Sequence, residues 1–153
     1  MSRKGLILGI ETSCDDTSIA IIQENEKGVD VLSHIKYGQE ETLNSWGGVV
    51  PEIAARNHLE MILPTLKESL KAANVTLEEI DLFSVTTVPG LLGPLLTGLN
   101  MAKTLALITE KPILPVNHLY AHLEAIHLDQ KVEYPYLGLL VSGGHSIYFY
   151  VQD

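Results

Sequence analysis

Apolar residues of the opening stretch "GLILGIETSCDDTSIAIIQE" fall into two runs on either side of a polar cluster at Thr12 to Asp16. That pattern predicts a strand, a tight turn and a second strand rich in β-branched residues. A third strand is predicted at Val29 to Tyr37, and the polar, glycine-containing "QEETLNSWGGVV" reads as a loop in which Trp46 is a surface anchor or a lid residue. At Pro51 the period changes to that of a helix. The proline suits a first turn, where its missing N–H has no partner to lose. Ala55, Leu59, Ile62, Leu66, Leu70 and Ala73 then recur at helical spacing, with Glu52, Arg56 and Glu60 four apart on the polar side. Pro64 predicts a kink or a division of this helix.

"DLFSVTTVPG" predicts a further strand, and Gly93 and Pro94 open a second helix. Gly98, Ala102 and Ala106 form a small-residue stripe on it, which allows close approach to a sheet. "KPILPV" is the next strand and "NHLYAHLEAIHL" the next helix, with Asn117 as its N-cap. The order is βββαβαβα, an α/β arrangement with a mixed sheet covered by helices on both faces. After Glu133 the pattern restarts, because "YLGLLVSGGHSIYFYV" aligns with the opening stretch as two apolar strands around a polar or glycine-rich turn. The expected organisation is a first lobe at 1–133 and the first hairpin of a second, truncated lobe at 134–153.

With 46% hydrophobic residues and a mean hydropathy of +0.17, the 153-residue chain can bury a real core. A single cysteine, Cys14, excludes an internal disulfide and fits a reducing compartment, so a cytoplasmic location is expected. No signal peptide is read at the amino terminus, since Glu11 interrupts the short apolar run after Leu6. The uncharged run from Leu82 to Ala102 is long enough to cross a bilayer. Its prolines, glycines and hydroxyls suit a buried strand, turn and helix better. Nineteen acidic residues against ten basic ones give a formal charge of −9, which opposes nonspecific attraction to polyanions. A nucleic-acid role would therefore need a local basic patch or partner proteins.

His118 and His122 lie four apart, offset by about 40° on a helix, and project side by side. Such a pair can hold a divalent metal if a carboxylate and exchangeable ligands complete the set. Spacing alone favours the simpler reading of two polar residues on a half-exposed face. His127 is nine residues from His118, half a revolution away, and cannot share their site. Leu119 stands where a His-Glu-x-x-His protease needs its general base. In the first turn, Glu11, Asp15 and Asp16 with Thr12, Ser13 and Thr17 can bind Mg²⁺ or a phosphate, or simply form a polar hairpin turn. Cys14 reads as a packing residue, since no histidine adjoins it in sequence. Val141 to His145, "VSGGH", is a glycine pair between strands, able to approach an anion or to serve as a plain turn. "TTVPGLLGPLLTG" is similarly open to both readings.

In combination these blocks are more specific. "GIETSCDDT", "GGVVPEIAARNH", "VPGLLGPLLTGLNMAK", "NHLYAHLEA" and "LVSGGH", in this order, resemble the tRNA threonylcarbamoyltransferase family, called TsaD in bacteria. The resemblance covers the whole chain but only the amino-terminal part of a family member. It implies an actin-like ATPase fold (ASKHA, ribonuclease H-like). It also implies transfer of the threonylcarbamoyl group from threonylcarbamoyl-AMP to the exocyclic amine of the adenosine beside the tRNA anticodon. Carried over by position, it implies His118 and His122 as metal ligands for iron or zinc. It likewise implies Val141, Ser142, Gly143, Gly144 and His145 as part of a substrate-binding turn, and Glu11 as a catalytic acidic residue of the first turn. A third ligand, an aspartate, and most of the adenylate pocket are expected from the second lobe. The implied cofactor is one divalent metal ion, with Mg²⁺ admitted alongside a nucleotide. The implied partners are tRNA, bound weakly by this chain alone, and TsaB-like and TsaE-like proteins.

Two function classes compete: one half of an enzyme, and a noncatalytic lobe that pairs with another chain as TsaB does. The histidine pair favours the first, because a pure scaffold has no need of it. Sugar and acetate kinases share the fold and form a weaker third option.

Overall fold

The computed structural model describes residues 5–26, 28–130, 132–142 and 146–152. Strands β1 (Leu6–Glu11), β2 (Thr17–Asn25) and β3 (Gly28–Tyr37) form an antiparallel meander, and β4 (Leu82–Val88) and β5 (Ile113–Asn117) join in parallel on the other side of β1. The resulting five-stranded sheet has the order β3-β2-β1-β4-β5. Helices α1 (Glu40–Asn44), α2 (Pro51–Ala73), α3 (Leu92–Thr109) and α4 (His118–Glu124) connect the strands, and β6 (Tyr136–Val141) and β7 (Ser146–Val151) form a separate two-stranded sheet. The order expected from periodicity is observed with one addition, the short helix α1 between β3 and α2.

Alternate residues of each central strand point to opposite faces, and the two faces are chemically different. One face carries Leu8, Ile10, Ile19, Ile21, Phe83 and Val85, all buried against α2 and α3. The other carries Gly9, Glu11, Ser18, Ala20, Ser84 and Thr86, where α4 lies across the β4–β5 end.

Sequence and structure differ at three points in and around α2. Of the kink or division expected at Pro64, the division is absent: α2 continues from Pro51 to Ala73. Pro64 and Glu60 are both exposed, so the Glu60 carbonyl that loses its helical partner is open to water. The buried stripe is Ala54, His58, Ile62, Thr65, Leu66 and Ser69, whereas Leu59 is 64% exposed. The helix is rotated from the expected face because its polar members find partners on the sheet: Ser69 and Ser33 share a 2.7 Å hydrogen bond, and His58 meets Thr17. Finally, the segment expected as a loop contains α1, which buries Leu43 and leaves Trp46 exposed.

The small-residue stripe of α3 does what its composition predicts. Thr12 Oγ1 accepts the Gly98 N–H at 3.2 Å and donates to the Pro94 carbonyl at 2.8 Å. Those two backbone groups belong to the same i, i+4 rung of the helix, so the hydroxyl bridges that rung. A Cβ on Gly98 would stand 2.4 Å from Thr12 Oγ1. Gly98→Ala should therefore cost about 1–2 kcal/mol net. Overpacking and the lost bridge outweigh the roughly 1 kcal/mol that alanine gains in a helix. Urea denaturation reads this directly, and an unchanged or raised midpoint would show that Thr12 does not clamp α3.

Candidate metal centre and cleft

A cleft of about 330 Å³ opens over the small-residue face of the sheet. Gly9, Ala20, Ser18 and Ser84 form its floor, Glu11 and Thr86 stand at one end, and His118, Ala121 and His122 form a wall. The floor is deep because these side chains are short. Asn117 fixes where the wall begins: its Oδ1 accepts the Leu119 N–H at 2.9 Å and the Tyr120 N–H at 3.2 Å. His118 is thus the first residue of α4 and sits directly beside the end of β1.

His118 Nδ1 lies 3.1 Å from Glu11 Oε2 and 3.2 Å from Ser13 Oγ. Glu11 is itself held from two sides, by the Thr86 hydroxyl at 2.7 Å on Oε2 and by the Ser13 backbone N–H on Oε1. Burial pushes the Glu11 carboxyl up, but the hydrogen bonds from Ser13, Thr86 and His118 outweigh it and hold the group below its ordinary value. On the far side of the ring, His118 Nε2 is 3.2 Å from His122 Nε2, with the imidazoles nearly perpendicular and their centroids 4.5 Å apart. Two imidazole nitrogens on one tetrahedral ion, each about 2.0–2.1 Å from it, stand about 3.3–3.4 Å apart. The observed separation fits a shared ion. No third His, Cys, Asp or Glu completes the set among the described residues.

Other histidines take different places. His127 lies away from the pair, stacked on Tyr134 with its Nε2 3.1 Å from the Tyr134 hydroxyl. His34, on the edge strand β3, lines the cleft and meets Ser18 Oγ at 3.0 Å. His58 is fully buried beneath the first turn, its Nδ1 2.7 Å from Thr17 Oγ1 and its Nε2 3.1 Å from the Cys14 carbonyl. A carbonyl only accepts, so the neutral His58 carries its proton on Nε2, which donates to the Cys14 carbonyl, and its Nδ1 accepts a hydrogen bond from the Thr17 hydroxyl.

The hydroxyls of the first turn face inward. Thr12 holds α3, Thr17 holds His58 and Ser13 faces His118. Asp16 pairs with Lys36 at 2.7 Å. Partial desolvation and the neighbouring Asp15, Asp16 and Glu11 push the exposed Cys14 thiol up to about 11, which leaves it a poor nucleophile at neutral pH. Of the expected substrate-binding turn, Val141 ends β6 opposite Ser146 and is 68% exposed, and Ser142 follows it. Gly143, Gly144 and His145 lie outside the described residues. Thr86, Ser84 and His34 were not singled out in the sequence. Strand alternation carries the signal that could have found them, since Ser84 pairs with Gly9, His34 pairs with Ala20, and Thr86 lies two residues beyond Ser84 on the same strand.

The model of the TsaD family, tRNA N6-adenosine threonylcarbamoyltransferase, matches residues 30–153. The chain belongs to this family. It is similar over all 153 residues, at 46% identity, to the tRNA N6-adenosine threonylcarbamoyltransferase of Staphylococcus saprophyticus, and covers 44% of that protein. Over 147 residues it is 51% identical to the enzyme of the same name from Brachyspira hyodysenteriae, with 96% of this chain and 42% of that protein covered. The chain thus spans less than half the length of these family members. Among solved structures, it resembles an uncharacterised protein with similarity to peptidase YEAZ from Pseudomonas aeruginosa. There the TM-score is 0.60 at 17% identity, over 95% of this chain and 63% of that one. That likeness concerns the fold, an actin-like, ribonuclease H-like α/β lobe.

Proposed function

We propose that this chain supplies the metal-bearing amino-terminal lobe of a tRNA N6-adenosine threonylcarbamoyltransferase. The observation that carries the reading is the convergence of His118 Nε2 and His122 Nε2, 3.2 Å apart at the wall of a cleft, in a chain of this family. In the reaction, the adenosine N6 attacks the carbamoyl carbon of threonylcarbamoyl-AMP. The bond to the phosphate oxygen breaks, AMP leaves and N6 gives up a proton. Iron or zinc held by His118 and His122 would supply Lewis-acid polarisation of the carbamoyl carbonyl. The short side chains of Gly9, Ala20 and Ser84 leave room beside the histidines. Val141 and Ser142 lead into the glycine-rich turn proposed to contact substrate. A third, anionic ligand and the remaining adenylate pocket belong to the part of the family sequence beyond this chain, and Mg²⁺ accompanies a nucleotide where one binds.

The net charge of −9 sets the division of labour with tRNA. Affinity for tRNA comes from the rest of the enzyme and from TsaB-like and TsaE-like partners, in the cytoplasm. No helix among the described residues is long and apolar enough to cross a membrane.

A second reading, a noncatalytic lobe that pairs with another chain, rests on exposed apolar surface. Leu137, Leu139, Tyr148 and Tyr150 on the β6–β7 hairpin are between 55% and 78% exposed. The test is a transfer assay with labelled threonine, tRNA and the partner proteins. The 153-residue chain is compared with the same chain continued through the carboxy-terminal part of the Staphylococcus saprophyticus relative. Activity only in the continued chain is expected. Robust modification by the short chain alone, or none by either, would remove the half-enzyme reading.

A further inference from the structure

Glu11, expected as a catalytic acidic residue of the first turn, places its carboxylate against the Nδ1 side of the His118 ring, opposite the Nε2 that faces His122. We propose that Glu11 is a positioning residue: it accepts the Nδ1–H of His118 and so fixes the tautomer and ring orientation that aim the Nε2 lone pair at the ion shared with His122. The proposal rests on the metal reading above and adds to it the group that makes one of the two ligands ready.

The hydrogen-bond inventory leads to this assignment. Both Glu11 oxygens act as acceptors, Oε2 from the Thr86 hydroxyl at 2.7 Å and Oε1 from the Ser13 N–H. His118 Nδ1 faces Oε2 at 3.1 Å and Ser13 Oγ at 3.2 Å. A lone pair on Nδ1 would point at an oxygen that is already accepting, whereas a proton there satisfies both atoms. In a neutral imidazole the proton on Nδ1 leaves Nε2 as the free donor of electrons. The alternative, an Nε2 proton shared with His122, would set Nδ1 against the carboxylate and withdraw a ligand.

The two ligands differ in support. Among the described residues His122 hydrogen-bonds only to His118, while His118 is held by Glu11 and Ser13, and Glu11 in turn by Thr86 and the Ser13 backbone. Order at the pair therefore enters from β1 through His118. A carboxylate behind a ligating imidazole is a recurring device for fixing ligand geometry, and its loss costs about 10–100-fold in metal affinity.

The test combines a spectroscopic and a binding readout on the metal-free chain. Long-range ¹H–¹⁵N spectra at about pH 8, where unperturbed imidazoles are neutral, should show His118 of the wild type protonated on Nδ1. Calorimetry with Zn²⁺ should show Glu11→Ala weakened about 10–100-fold. Glu11→Gln, whose amide oxygen can take the place of Oε2 while its NH2 then faces the Ser13 N–H, should keep the Nδ1–H tautomer and lose less affinity than Glu11→Ala. A wild-type His118 protonated on Nε2 would overturn the proposal without any variant. So would a folded Glu11→Ala chain that binds Zn²⁺ as the wild type does. If Glu11→Ala does not fold, the wild-type tautomer and Glu11→Gln decide. His122→Ala separates the two claims: unchanged Zn²⁺ affinity in that variant sinks the metal reading, while the His118 tautomer still reports on Glu11.

Discussion

Alanine at His118 or His122, in the chain continued through the second lobe, should lower threonylcarbamoyl transfer by about 10²–10⁴-fold. A Lewis-acid ion contributes several kcal/mol of charge stabilisation, and each 1.36 kcal/mol is roughly tenfold in rate. Either substitution removes one of two nitrogens that stand 3.2 Å apart, and neither ring packs in the core. The variants should therefore fold normally, so that lost activity reports on the site. His127→Ala is the matched control, because its ring stacks on Tyr134 away from the cleft. Equal activity of the wild type and His118→Ala would refute the metal role.

The second large effect concerns stability. His58→Ala should cost about 3–5 kcal/mol, since it opens a cavity where a fully buried ring stood and strands the Thr17 hydroxyl and the Cys14 carbonyl. His58 also gives stability a pH dependence. Burial lowers its proton affinity in the folded chain, so between its ordinary value near 6.5 and the lower folded value the unfolded chain binds more protons. The contribution of His58 is then constant above about pH 7 and is lost as pH falls below about 6.5, by at most about 1.4 kcal/mol per pH unit. Urea midpoints at pH 5.5 and 7.5 for the wild type and His58→Asn measure it. The same acid loss in both proteins would show that another group is responsible.

Period and punctuation made most of the lobe legible. Alternation found the strands, Pro51 and Asn117 marked helix starts that the structure confirms, and the stripe at Gly98 and Ala102 marked a close helix contact. The rotated face of α2 has one physical cause. Helix α2 was read from its apolar residues, but it buries His58, Thr65 and Ser69, because buried polar groups are stable once partnered and the partners lie on β2 and β3. The histidine pair was visible from its spacing, and the expectation that it holds a metal came from the family resemblance. What stands behind it was not visible: Glu11, Ser13, Thr86 and His118 are joined across sequence separations as large as 107 residues. No local pattern encodes such contacts. Sheet register does, and it becomes available only when β1 is known to pair with both β2 and β4.

Calorimetric titration of the metal-free 153-residue chain with Zn²⁺ tests the central claim most directly. The expected result is weak binding of one ion per chain, lost in both His118→Ala and His122→Ala and kept in His127→Ala. Affinity unchanged by His122→Ala would contradict it.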